Sequence, residues 1–261
     1  MRLGLCCTFL EAPIHFRRTT ARYLARLQPS ERVRFLRTLL DDNAEALRKA
    51  LLFCAEHGIG AFRLSSQIFP VYTHPKMGYR LDAIDPAGEI RNAYAEAGAL
   101  GRALGLRLSL HPDPFVVLGS PTEAVVRKAV EDLEYHAEVA ELVGAEQITV
   151  HGGGGQGGKE ASLARLRRSL SRLRPEVRPG RGRGGRGLLR HLGRPRTVGP
   201  RLEPARWVGG AEPPSPRRYV DPADVPRAWM GRALTVDVEA KAKERAVLRL
   251  ARDLGLQRAS E

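Results

Sequence analysis

The chain has 261 residues, 43% of them apolar, enough for one α/β barrel domain or two small domains with a real core. Three cysteines (Cys6, Cys7 and Cys54) are too few for a disulfide framework, and no apolar run approaches the roughly 18 residues of a membrane span. The formal charge of +14 points towards a polyanionic partner. Residues 174–218 hold 12 Arg against 3 acids, while the rest of the chain carries 31 Lys and Arg against 26 Asp and Glu.

In chain order, Arg2–Cys7 reads as a first strand, with the two cysteines as small apolar strand residues. MRLGLCCTFLEAP lacks the charged and long apolar regions of a signal peptide, which predicts a soluble, cytoplasmic protein. Glu31–His57 carries apolar residues near every 3.6 positions (Val33, Leu36, Leu39, Leu40, Leu47, Ala50, Leu51) and reads as a helix. Gly58-Ile59-Gly60 ends it, and Ala61–Leu64 opens a second strand. Ala87–Gly105 is helical and Leu106–His111 a strand. Ser120 caps a helix that begins at Pro121 and runs through Leu142. Gln147–His151 is a strand, Gly152–Gly158 a loop and Lys159–Leu173 a helix. Near the far end, Ala233–Val238 reads as a strand and Ala240–Leu254 as a helix. Strands alternating with helices predict a parallel sheet with helical crossovers.

Residues 174–218 break this order. They contain 9 Gly, 8 Pro and 12 Arg in 45 residues, too densely punctuated for a helix or central strand. The expectation is a disordered or linker-like segment. Only 59 residues lie between Leu173 and Ala233, where three further barrel units would need about 90. A regular eight-unit barrel therefore does not close easily.

Three histidines each close an apolar run: His74 after PVYT, His111 after RLSL and His151 after ITV. The strand ends of such a chain converge on one face, where metals and substrates bind. Neutral imidazoles are common transition-metal ligands, and Glu239, also at a strand end, is the natural carboxylate partner. His57 and His136 lie in or at the end of helices and read as surface residues; His15 sits in a loop, and His191 receives no role. Gly152–Gly158 running into Lys159 is a Gly-rich loop before a helix, able to cradle a phosphate, although its spacing is not that of a P-loop. Arg63 with Ser65-Ser66 follows the second strand and is placed to meet a phosphate backbone. Phe69 and Phe115 stand beside the histidine motifs, where an aromatic ring stacks on bases or packs in the core.

These motifs together resemble the UV damage endonucleases. The matching runs are LGLCC at 3–7, FRLSSQIFPVYTHP at 62–75, RLSLHPDPFVVLGSP at 107–121, LEYHAEVAELVGAEQITVHGGGGQGGKEAS at 133–162, RRYVDPADV at 217–225 and DVEAKAKERAVLRL at 237–250. The resemblance covers about 1–173 and 217–254. It implies a single TIM (β/α)8-type barrel over 1–261 that cuts damaged double-stranded DNA just 5′ of UV photoproducts or abasic sites. It implies a cluster of divalent ions, typically Mn2+, held by His74, His111, His151 and Glu239, with Lys159 near the DNA backbone. It also implies a monomer. In the family's HPGQ[FY] motif, the polar residue that probes the lesion strand becomes Pro114 here, while Phe115 keeps the aromatic character. The usual LGY tyrosine is Leu5. The family's further Glu, Asp and His strands have no counterpart in 174–216, and Pro216 replaces a histidine. Family-like sequence on both sides of a foreign middle predicts a reading-frame slip near 174 with recovery near 217, a chain short by about 40 residues, and a barrel disrupted between them. Two other readings stay open: a metal-dependent TIM-barrel sugar isomerase or epimerase, and a non-enzymatic basic protein that binds nucleic acid through the 174–218 arm.

Overall fold

A computed structural model of the chain describes residues 1–151, 155–175, 177, 189–191 and 218–256. Six strands, β1 (Arg2–Cys6), β2 (Ala61–Leu64), β3 (Arg107–Leu110), β4 (Gln147–Val150), β5 (Leu189–His191) and β6 (Thr235–Val238), pair in the order β5-β4-β3-β2-β1-β6. Every pairing is parallel. The last strand lies beside the first and the others follow in sequence, as in a barrel that has been opened. The helices are α1 (Ala21–Leu24), α2 (Pro29–Glu56), α3 (Leu81–Ile84), α4 (Glu89–Ala103), α5 (Glu123–Val143), α6 (Lys159–Leu170) and α7 (Lys243–Asp253).

Local sequence explains the elements. Pro29 opens α2, where its missing N–H costs nothing, and the Gln28 N–H donates to Glu31 Oε2 at 3.1 Å. Gly58 follows its end at φ 67, a conformation that glycine adopts without strain. The start of α5 falls at Glu123 rather than Pro121. Ser120 Oγ instead accepts from Thr122 N at 3.1 Å, in a turn just before the helix.

Register sorts the sheet residues into two faces. The rows Leu5–Phe62–Leu108 and Leu64–Leu110–Ile148 are at most 2% exposed and pack under α2, α4, α5 and α7. Of the alternate residues, Cys6 and Ala61 are buried, while Arg63, Arg107, Ser109, Gln147, Thr149 and Asp237 lie outside the buried core. An ordinary closed barrel fills that inner face with branched apolar side chains; here most of it is polar. Gly4 is one reason the strands fit. A Cβ there would meet Asp237 Oδ1 at 2.4 Å.

The segment expected to lack regular structure contributes β5, paired with β4 through Ile148↔Leu189, Thr149↔Arg190 and Val150↔His191. Backbone pairing needs no periodicity over three residues, which is why composition did not reveal it. Most of the remaining 174–217 segment lies outside the described residues.

Candidate active site

All strands run the same way, so the residues after β1, β2, β3, β4 and β6 rise from one end of the sheet. His111 and His151 meet there: their rings stand 4.6 Å apart, tilted by 36°. His111 Nε2 is buried and has no hydrogen-bond partner among the described residues. Burial, then the Arg63 guanidinium, then His151 hold the His111 pKa below its ordinary value. A neutral imidazole with a free lone pair is the ligating form of histidine.

Glu239 follows β6 and is held by Arg63, with Nη2 to Oε2 at 3.0 Å. Burial alone would raise the Glu239 pKa, but the Arg63 charge and its hydrogen bond bring it below the usual carboxylate value. The Arg63 side chain is only 11% exposed, and its Nε is buried without a partner among the described residues. Cys7, after β1, points its thiol at Leu64 O (3.7 Å), with φ at 63. Burial raises the pKa of this thiol and of the neighbouring Cys6, so neither is a thiolate near neutrality.

His74 does not join this group. It is exposed, and its Nδ1 accepts from the backbone N–H groups of Lys76 and Met77, both at 3.2 Å. With Nδ1 as acceptor, the neutral ring carries its proton on Nε2 and offers no free lone pair. The cause is local: the 71–78 loop folds back on itself, with Gly78 N donating to His74 O at 2.8 Å. His74 lines a separate cavity of about 260 Å³ with Asp113, Phe115 and Lys128. Among the described residues, no group of three or more His, Cys, Asp or Glu is arranged to hold a metal ion. The four predicted ligands therefore divide into a His111–His151 pair, a Glu239 tied to Arg63, and an isolated His74.

Ser65, expected at a phosphate, is buried, and its Oγ accepts from Gln67 N at 3.1 Å. Its neighbour Ser66 takes the outward place and donates to Asp113 Oδ1 at 2.8 Å. Asp113, which the sequence reading passed over, thus ties the β2 loop to the β3 loop. Its position inside HPDPF was the available signal. Pro114 is exposed, and Phe115 at the tip is 87% exposed. Phe69 is instead core, 1% exposed and edge-on to Tyr94 at 4.9 Å. Lys159 is the exposed first residue of α6, after Gly158 at φ 89. Gly152, Gly153 and Gly154 of its loop lie outside the described residues, as does the His191 side chain.

His136, read as a surface residue, is buried at 3% exposure. Its Nδ1 stands 2.5 Å from Asp132 O, and its Nε2 has no partner among the described residues.

A sequence profile of the UV-endonuclease UvdE family matches residues 1–180 of the chain. The chain belongs to this family. It is 39% identical over 147 residues to a UV-damage endonuclease of Neurospora crassa, covering 54% of this chain and 22% of that protein. It is 34% identical over 162 residues to a UV DNA damage endonuclease of Bacillus velezensis, covering 61% and 48%. With the UV DNA damage endonuclease of Deinococcus radiodurans the figures are 32% over 179 residues, 63% and 54%. The chain thus spans about half, or less, of the curated relatives it matches. The crystal structure of SacUVDE superposes with a TM-score of 0.74 at 21% identity, over 98% of either chain. At that identity the likeness shows the fold.

Proposed function

We propose that this UV-endonuclease family member hydrolyses the phosphodiester bond 5′ of UV photoproducts or abasic sites in duplex DNA, with a divalent ion, Mn2+ first, as cofactor. The observation that carries the reading is the His111–His151 pair, with a buried and orphaned His111 Nε2, at the strand ends of a chain of this family. That orphaned ring nitrogen fits a divalent ion that accepts nitrogen donors. His111 and His151 would hold it, with Glu239 as the strand-end carboxylate partner. The described residues do not match a cluster of three ions. When bound, such an ion acidifies water and screens the charge of a phosphate.

The chain's own residues divide the remaining work. Arg63 keeps a fixed positive charge beside Glu239 and disfavours protonation of His111. The Ser66–Asp113 bond holds the loop that carries Phe115. An aromatic ring presented 87% to solvent beside a phosphate-cutting centre is placed to enter a damaged base stack, where distorted pairs unstack at least cost. Lys159 stands at a helix start, where backbone N–H groups favour an anion.

The test is conversion of supercoiled plasmid to nicked circles with Mn2+, comparing irradiated and untreated DNA. Nicking confined to irradiated plasmid and stopped by a chelator is expected. Equal nicking of both plasmids, or none of either, would overturn the reading.

A further inference from the structure

Charge on the described part of the chain is not spread evenly. Outside 174–218 the chain carries 31 basic and 26 acidic residues, and the stretch 15–34 alone holds six arginines against Glu31. Without those two segments the remainder balances at 25 of each sign. The excess positive charge of the folded body therefore sits in one loop and helix start, between β1 and the first turns of α2.

That loop is fixed from three sides. Glu244 of α7, 3% exposed, accepts from Leu10 N (2.8 Å), Glu11 N (2.7 Å) and Ala12 N (3.2 Å). Asn43 of α2, fully buried, accepts from Arg17 N at 2.7 Å and donates to Arg17 O at 3.1 Å and Ile68 O at 3.0 Å. Arg32 reaches back to Leu24 O (3.1 Å) and Leu27 O (3.2 Å). Two of the six arginines are used inside the protein: Arg32 in this way, and Arg17 in a pair with Asp42. The other four, Arg18, Arg22, Arg26 and Arg34, are exposed, with no side-chain hydrogen bond or ion pair among the described residues.

A loop anchored this firmly, with most of its cations left unpaired, is organised for an external anion. Ordering entropy is already spent before the partner arrives. The loop also leaves β1 at the end of the sheet where His111, His151 and Glu239 lie. Arg18 and Ser65, the residue after β2, line one cavity of about 170 Å³. We propose that residues 15–34 form a rigid basic platform that binds the phosphate backbone of the duplex flanking the incised site, and that Arg18, Arg22 and Arg26 each neutralise a phosphate. The proposal rests on the DNA endonuclease reading given above.

Such contacts have a quantitative signature. Each neutralised phosphate adds roughly 0.9 to the slope of log K against log salt for B-DNA. The experiment is fluorescence anisotropy with an undamaged, labelled duplex across a salt series. Wild type is compared with R18Q/R22Q/R26Q and with R227Q/R232Q, two exposed arginines in the segment that leads into β6. The expected result is a slope shallower by about 2–3 in the platform variant, with at least about tenfold weaker binding at moderate salt. The control variant should keep the wild-type slope. All three substitutions sit on exposed, unpaired side chains, and circular dichroism checks that the fold is kept. A platform variant with the wild-type slope, while wild type still nicks irradiated plasmid, overturns the platform and leaves the endonuclease reading standing. A control variant that loses as much as the platform variant also overturns it, because the effect would then be bulk charge. Absence of duplex binding by wild type overturns both.

Discussion

Replacing Glu244 by alanine should destabilise the protein by about 2–3 kcal/mol, although the residue touches no candidate ligand. Its carboxylate accepts from three consecutive backbone N–H groups, those of Leu10, Glu11 and Ala12. A hydrogen bond to a charged group contributes about 1.5–3 kcal/mol net, and a buried donor left unpaired costs about 1–3 kcal/mol. Three such bonds would sum higher, but Leu10 and Glu11 lie at the surface and water replaces part of what is lost. Burial raises the Glu244 pKa, and the backbone donors outweigh it, so the folded value lies below the ordinary one of about 4.3. A depressed folded value stabilises the protein above the unfolded pKa, and that stability is lost as pH falls through the folded one. Urea unfolding of wild type and E244A at several pH values checks this. The gap between them should be full above about pH 5 and should narrow below pH 4. A gap under about 0.5 kcal/mol at neutral pH, or one that widens on acidification, would refute the account of the anchor.

Three further outcomes follow from the geometry. Gly98→Ala should cost about 3 kcal/mol, because a Cβ there would lie 2.1 Å from Val143 O where α4 crosses α5; urea midpoints measure it. His111→Ala should weaken Mn2+ binding by at least about tenfold, read from the electron paramagnetic resonance signal of free Mn2+; unchanged affinity would remove this residue from the metal site. Phe115→Ala should leave stability within about 0.5 kcal/mol, since the ring is 87% exposed, and should reduce nicking of irradiated DNA about tenfold or more while sparing binding to undamaged duplex.

Periodicity and strand ends carried much of the fold. The α2 stripe read from sequence is buried at Leu36, Leu39, Leu40, Leu47, Ala50 and Leu51, though Val33 at its edge remains 38% exposed. The strand-end rule brought His111 and His151 together correctly, because consecutive parallel strands must deliver their next residues side by side. It failed for His74, which lies ten residues beyond β2, where loop geometry rather than strand direction sets the place. Ser65 and Ser66 show how fine that limit is: at a strand end, one residue decides between facing the protein and facing solvent. His136 was legible after all. It lies on the α5 stripe with Leu133, Ala137 and Ala140, and counting by three and four would have buried it. Arg18, Arg22 and Arg26 were visible as letters, but the buried side chains of Asn43 and Glu244 that fix their loop are not apparent without the fold.

The most direct test uses a labelled duplex with a single photoproduct at a known position, incubated with the protein and Mn2+. One incision is expected, immediately 5′ of the lesion on the damaged strand, absent without the ion and from the undamaged duplex. Incision at scattered positions, or a full-length strand at enzyme excess with Mn2+ present, would contradict it.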